Sequence, residues 1–206
     1  GAIGVERTFA IYDDGDQQAL MRRVLGELNV DPRKFAPRAL LSAISRAKSE
    51  LASPAAYARS VHDYYGEVTS RAYERYQTLL RANSGLDFDD LLMVSVELFA
   101  RNPDVLAAHQ ERYEHILVDE FQDTNQAQYT LLRQLSGTHL NLFCVADEDQ
   151  SIYAWRGADY RNIRRLRDDH PDLLTILLEE NYRSTQTILD AAHAVIRHNP
   201  DRTEKS

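Results

Sequence analysis

The chain has 206 residues, of which 43% are hydrophobic, and its 24 lysines and arginines against 32 acidic residues leave a net charge of −8. That length allows one large domain or two small ones, the apolar fraction suffices for a core, and the acidic balance excludes a global basic field that would announce a polyanion. A single cysteine, Cys144, excludes an internal disulfide, and no Cys/His spacing suggests zinc.

No apolar run reaches the length of a membrane span and no signal-peptide pattern is present, so the expectation is a soluble, cytoplasmic protein with no membrane partner. The first residue is not Met, which reads as a chain cut from something longer. Its basic residues are mostly arginine, with Lys34, Lys48 and Lys205 the lysines. Any contact with nucleic acid must therefore come from local clusters. The seven histidines are scattered and read as surface or packing residues.

Residues 1 to 15 read as an irregular entry with Phe9 to Tyr12 extended. Asp16 is the expected cap of a helix from Gln17 to Leu28 with Leu20, Val24, Leu25 and Leu28 on one face. A second helix is expected from Pro37 to Leu51, with Leu40, Leu41, Ile44 and Leu51 inward and Arg38, Arg46 and Lys48 outward. A long helix from Tyr57 to Ala82 interleaves tyrosines with arginines. That pattern can stack on bases and hold phosphates, but it also makes an ordinary amphipathic helix whose tyrosine hydroxyls stay wet, and the ordinary reading is favoured. Asn83-Ser84-Gly85 ends it, Asp87 caps a helix from Phe88 to Ala100, and Pro103 opens another to Tyr113.

The pattern changes at residue 115. Short apolar runs at Ile116 to Val118, Leu142 to Val145 and Leu173 to Leu178 alternate with helical stretches at Gln126 to Leu135, Tyr160 to Arg167 and Ser184 to Asn199. Strand alternating with helix predicts a parallel sheet, here three-stranded and incomplete. The tail from Pro200 to Ser206 is expected to fray.

Each run ends in polar residues. The first is followed by the adjacent carboxylates Asp119 and Glu120, the second by Asp147 to Gly157, and the third by Glu179-Glu180-Asn181-Tyr182-Arg183. In a parallel sheet these ends converge beyond the carboxyl ends of the strands, where ligands bind. Two carboxylates there can divide nucleotide hydrolysis between holding hydrated magnesium and accepting a proton from water. The plainer alternative for Asp119-Glu120 alone is a strand ending in a solvated acidic turn. Trp155, read alone, is a core anchor, Arg183 a helix cap, Cys144 packing, and Arg161, Arg164, Arg165 and Arg167 a solvated basic face.

The segments DEFQDTNQAQY, VADEDQSIYAWRGAD and LLEENYRST resemble motifs II, III and IV of superfamily 1A DNA helicases, the UvrD/PcrA/Rep family. AISRAKSELASP and GLDFDDLL resemble the helical insertion of that family's first motor domain. The resemblance runs from Phe9 to Asn199, with Ala146 and Glu148 where the family usually has Gly and Asp.

It implies an α/β fold: a mostly helical N-terminal half, then a partial RecA-like parallel sheet flanked by helices, of P-loop NTPase type. The implied divisions are a helical insertion over 1–114, a motor-core segment over 115–180, and the start of a second motor domain over 181–206. It implies ATP and Mg2+ as cofactors, with Asp119 holding magnesium through water and Glu120 activating the attacking water. Gln150 would sense the γ-phosphate, Arg183 would act as an arginine finger, and Tyr182 would stack on adenine. Tyr153, Trp155 and Arg156 would contact single-stranded DNA.

No GxxxxGK[ST] loop occurs in the sequence, and a motor of this kind needs one to cradle phosphates. The leading expectation is a piece of an ATP-dependent 3′-to-5′ DNA helicase that unwinds duplex DNA in repair or replication, inactive by itself, with the remaining helicase domains and single-stranded and duplex DNA as partners. The alternative is a non-catalytic DNA-binding or protein-interaction module derived from such a motor.

Overall fold

The computed structural model describes residues 3–198. The chain divides into two compact units. The larger runs to Leu117 and adds Asn125–Phe143, and the smaller combines Val118–Thr124 with the chain from Cys144 onward.

The larger unit is helical. Strand β1 (Ala10–Tyr12) leads into α1 (Asp14–Glu27), α2 (Pro37–Ser49), α3 (Pro54–Ser60) and α4 (Tyr64–Ala82), followed by β2 (Gly85–Asp87), α5 (Phe88–Arg101), α6 (Pro103–Arg112) and, after the next strand, α7 (Gln126–Ser136). Met21, Val24, Leu25, Leu40, Ile44, Ala72, Tyr73, Tyr76 and Leu80 form its core. Each large apolar side chain among them contributes about 1.5–3 kcal/mol by leaving water.

Several expectations change here. The cap of α1 is Asp13, and Asp16 closes a capping box with it from the third helical position. The single long helix from Tyr57 is broken, because Asp63 caps α4 separately by accepting the Gly66 N–H. A side chain on Gly66 would strike Val61 at 2.8 Å, so the break is packed tightly. The tyrosines of α4 are not all wet: Tyr73 donates to Ala52 O at 3.0 Å and Tyr76 to Asp87 Oδ2 at 3.1 Å. Gly85–Asp87 is a strand as well as the cap of α5, paired in parallel with β1 in the register Ala10↔Gly85, Ile11↔Leu86, Tyr12↔Asp87. Gly85 is required there, since a Cβ would lie 2.6 Å from the Tyr12 ring.

Lys48 overturns its assignment to the outer face of α2. It is 1% exposed, donating to Asp87 Oδ2 at 2.6 Å and lying 2.8 Å from Asp90 Oδ1. The helical period explains this, because positions 40, 44 and 48 share one face and Leu40 and Ile44 are core residues.

Strands β3 (Ile116–Val118) and β4 (Leu142–Cys144) form the second sheet. Ile116 N–H donates to Asn141 O at 3.0 Å and Val145 N–H to Val118 O at 2.8 Å, so both chains advance together and the pair is parallel. The third apolar run, Leu173 to Leu178, is in no helix and forms no strand. Leu174 and Leu178 are 80% and 88% exposed. An apolar run supplies strand propensity, but a ladder also needs a partner strand, and none of the described residues provides one.

The smaller unit holds 3-10 turns at Phe121–Asp123, Glu148–Gln150 and Ala154–Arg156, then α8 (Arg161–Asp169) and α9 (Gln186–Ile196). Phe121, Gln122, Asn162, Ile163 and Leu166 are buried. Asn162 Nδ2 donates to Thr124 O at 2.9 Å and Oγ1 at 3.2 Å, and the Asp159 N–H to Thr124 O at 3.0 Å. Asn199, expected to end the last helix, and the tail Pro200 to Ser206 lie outside the described residues. No helix among those described is long and apolar enough to cross a membrane.

Candidate functional site

The candidate site begins where β3 stops. Glu120 has φ 50° and ψ 43°, the left-handed region, which costs a residue with a side chain about 1–3 kcal/mol. That turn takes the chain out of the strand and into Phe121–Asp123. Phe121 N–H donates to Val145 O at 3.0 Å, and Thr124 Oγ1 to Phe121 O at 2.7 Å, so the turn is pinned on both sides. Asp119 and Glu120 are both exposed, with Asp119 Oδ1 accepting the Glu120 N–H at 2.9 Å.

Beyond β4, Asp147 opens the turn Glu148–Gln150, its Oδ1 accepting the Asp149 N–H at 3.0 Å. Its other oxygen accepts Gln150 Nε2 at 2.8 Å. The two loops are joined through Gln122, whose side chain is fully buried. Gln122 Nε2 donates to Glu120 Oε2 at 2.6 Å, and Gln122 Oε1 accepts the Asp147 N–H at 3.0 Å. Glu120 and Gln150, two of the residues singled out in the sequence, are thereby connected. Gln122 was not among them, because nothing local shows that its amide meets a backbone group beyond a different strand.

Asp123 ends the turn that holds Gln122. One of its carboxylate oxygens is buried with no hydrogen-bond partner among the described residues. Burial first, and then the Glu120 charge, push its carboxyl above the usual range.

Trp155 is 70% exposed, so it is not a core anchor. Its ring centroid lies 6.4 Å from that of Tyr153 at an interplanar angle of 48°. Gly157, at φ 87°, closes the turn that carries them, its N–H donating to Ala154 O at 3.0 Å. Arg156 ends that turn, and its side chain lies outside the described part of the structure. In α8 the arginines are not a free basic face: Arg161 and Arg165 pair with Asp159 at 2.7 and 2.9 Å, and Arg167 with Glu148 at 3.4 Å. Burial alone would raise the Asp159 carboxyl, but its bonds from Arg161 and the charge of Arg165 hold it below the usual range.

Tyr182 and Arg183 are exposed in the segment after the third apolar run. Tyr182 donates to Glu180 Oε2 at 2.7 Å, which raises its phenol. Asn181 Oδ1 accepts the N–H groups of Arg183 and Ser184 at 2.9 and 2.8 Å. Neither side chain is joined to Asp119, Glu120 or Gln150. Cys144 is half-buried, and burial pushes its thiol up to about 11, as suits a packing residue.

Among the described residues no group of three or more His, Cys, Asp and Glu side chains is set to hold a metal ion. Magnesium does not need one, since it is commonly held by one or two carboxylates together with water and phosphate oxygens. Two exposed, adjacent carboxylates fit that mode.

The model of the UvrD/REP helicase N-terminal domain matches residues 2–171. The ATP-dependent DNA helicase PcrA of Leuconostoc citreum is 46% identical over 204 residues, covering 99% of this chain and 27% of that protein. The PcrA helicases of Staphylococcus aureus (strain Mu50) and Bacillus subtilis (strain 168) are each 48% identical, covering 98% and 99% of this chain and 28% of theirs. The chain thus spans just over a quarter of the length of the curated relatives it matches. It belongs to the UvrD/Rep helicase N-terminal domain family, and so to the UvrD-like superfamily 1 helicases.

Proposed function

We propose that this chain is part of an ATP-dependent DNA helicase or translocase that moves 3′ to 5′ on one strand, unwinds duplex DNA in repair or replication, and works in the cytoplasm with its remaining motor domains. The relatives carry the name of ATP-dependent DNA helicase. The observation that supports the reading most is the connection of Glu120, a carboxylate at the end of a parallel strand, to Gln150 by hydrogen bonds that run through the buried Gln122 side chain and Asp147. A solvated acidic turn would need no such link.

Asp119 would hold Mg2+ through water, and the ion would neutralise charge on the phosphates of ATP. Glu120 accepts the proton of the attacking water, general-base work that contributes about 10²–10⁴-fold. Gln150 senses the terminal phosphate, and Tyr182 stacks on the adenine. Arg183 brings its planar guanidinium to the charge that develops on the transferred phosphoryl group. Trp155, Tyr153 and Arg156 meet single-stranded bases, where stacking tolerates any sequence.

The 206-residue chain, whose sequence has no phosphate loop, should show no DNA-stimulated ATPase above its own Glu120→Gln control. Clear turnover above that control would contradict this reading of the chain as one part of the motor.

A further inference from the structure

We infer that Gln122 is a positioning residue that ties the Glu120 carboxylate to Gln150 through Asp147. This rests on the proposed roles of Glu120 and Gln150 and adds the element that makes them one device.

The amide of Gln122 has only one usable orientation. Its Oε1 accepts from the Asp147 backbone N–H at 3.0 Å, a group that can only donate. The Nε2 end therefore faces Glu120, donating to Oε2 at 2.6 Å, and that oxygen must act as an acceptor. Gln122 thus fixes the direction of the Glu120 carboxylate, on a backbone already in the left-handed region. The same Asp147 accepts Gln150 Nε2 through its carboxylate at 2.8 Å. A shift of Gln150 on meeting a phosphate therefore reaches Asp147, then Gln122, then the base.

Burial keeps the link specific. Gln122 is 0% exposed, so water does not compete for either end of its amide. Glu120 and Gln150 at the two ends of the chain are exposed and free to meet ligand. No hydrogen bond joins the two directly among the described residues, so the buried amide and Asp147 are the connection.

Two variants test this. Gln122→Met keeps length and burial and removes both bonds. Asp147→Asn leaves the backbone N–H on Gln122 and an oxygen to cap the Asp149 N–H, and puts a donor in place of the oxygen that accepts from Gln150. In the 206-residue chain the readout is the side-chain amide resonances of Gln122 and Gln150, which needs no nucleotide. Gln122→Met should shift the Gln150 amide although no hydrogen bond joins the two side chains, and Asp147→Asn should shift Gln150 while leaving the Gln122 amide in place.

In the full-length protein that carries this segment, both variants should lower kcat for ATP by about 10–100-fold, the scale on which outer-shell partners act, with KM within about two-fold. Combined, they should lower it little more than either alone. A Gln150 amide unmoved by Gln122→Met, or multiplicative losses in the combined variant, would overturn the link. Failure of the underlying functional reading shows elsewhere, as hydrolysis that survives in Glu120→Gln.

Discussion

Each unit of this protein contains a buried polar network, and the two are built differently. In the helical unit, Lys48, Asp87, Asp90, Tyr76 and Gln77 bond to one another, with Gln77 Oε1 buried and without a hydrogen-bond partner among the described residues. Lys48 lies 2.6 and 2.8 Å from two carboxylates and 5.4 Å above the Tyr76 ring, while Gln77 Nε2 spans both oxygens of Asp90 at 3.0 and 3.1 Å. All five are buried, and Asp87 doubles as the cap of α5. In the smaller unit the network has a single buried amide at its centre, with Glu120 and Gln150 exposed at its ends. The first network has nothing to offer a ligand and everything to do with holding helices in register. The second leaves a carboxylate and an amide exposed to solvent and joins them through a buried side chain.

The largest expected effect comes from breaking the first network. Lys48→Met leaves two buried carboxylates facing each other and should lower stability by about 3–5 kcal/mol, read by urea unfolding. Adding Asp87→Asn and Asp90→Asn removes the stranded charges, and Asn still caps a helix, so the triple variant should recover most of the loss. A Lys48→Met protein as stable as its parent would mean that the network does not hold as described.

Gln122→Met strands only one backbone N–H in the other network and should cost about 1–3 kcal/mol. Its loss of turnover, about 10–100-fold, should be of the same size as its loss of stability, whereas Lys48→Met should act through stability.

Trp155 sharpens the contrast from outside either network. Being 70% exposed, Trp155→Ala should change stability by no more than about 0.5 kcal/mol. In the full-length protein it should weaken single-strand binding by about 1–3 kcal/mol per stacked base, by titration with a labelled oligonucleotide. The 206-residue chain, at a net charge of −8, should itself bind single strands weakly and lose that binding steeply with salt. Submicromolar binding that survives roughly 200 mM salt would favour a DNA-binding module in its own right.

The smallest effects are in pH, and the two units carry opposite signs. Burial raises the Asp89 carboxyl, beside the first network, against the pull of Ser45. A raised folded value means stability present below the ordinary carboxylate range and lost as pH rises through the folded value. Asp89→Asn should remove that loss, so its unfolding midpoint should gain on the parent from acid to neutral pH. Asp159 is held down by Arg161 and Arg165. Its contribution is present above the ordinary range and disappears on acidification, and Asp159→Asn should flatten that fall instead. Parallel pH profiles for parent and variants would contradict both assignments.

Much of this was readable in the sequence where the signal is local. Asp87 as a cap, the prolines opening α2 and α6, and the run Ile116 to Val118 depend on neighbours a few residues away. What was not readable depends on distant partners. Gly85–Asp87 is a strand only because Ala10–Tyr12 lies beside it, and Leu173 to Leu178 is not one because nothing described pairs with it. Lys48 shares the apolar face of α2, so its burial was available from spacing, but the carboxylates that make burial tolerable come from beyond α4. In the site, the carboxylate pair and Gln150 stand out by motif. Gln122 does not, because its role is set by a backbone N–H after another strand.

The most direct test of the account is Glu120→Gln in the full-length protein, measuring MgATP affinity and single-turnover hydrolysis on the same preparation. The substitution keeps the shape of the side chain and removes the base. The account predicts affinity within about two-fold of the parent and hydrolysis slower by about 10²–10⁴-fold. Hydrolysis at the parent's rate would show that Glu120 is not the base, and would leave the link from it to Gln150 without the role proposed for it.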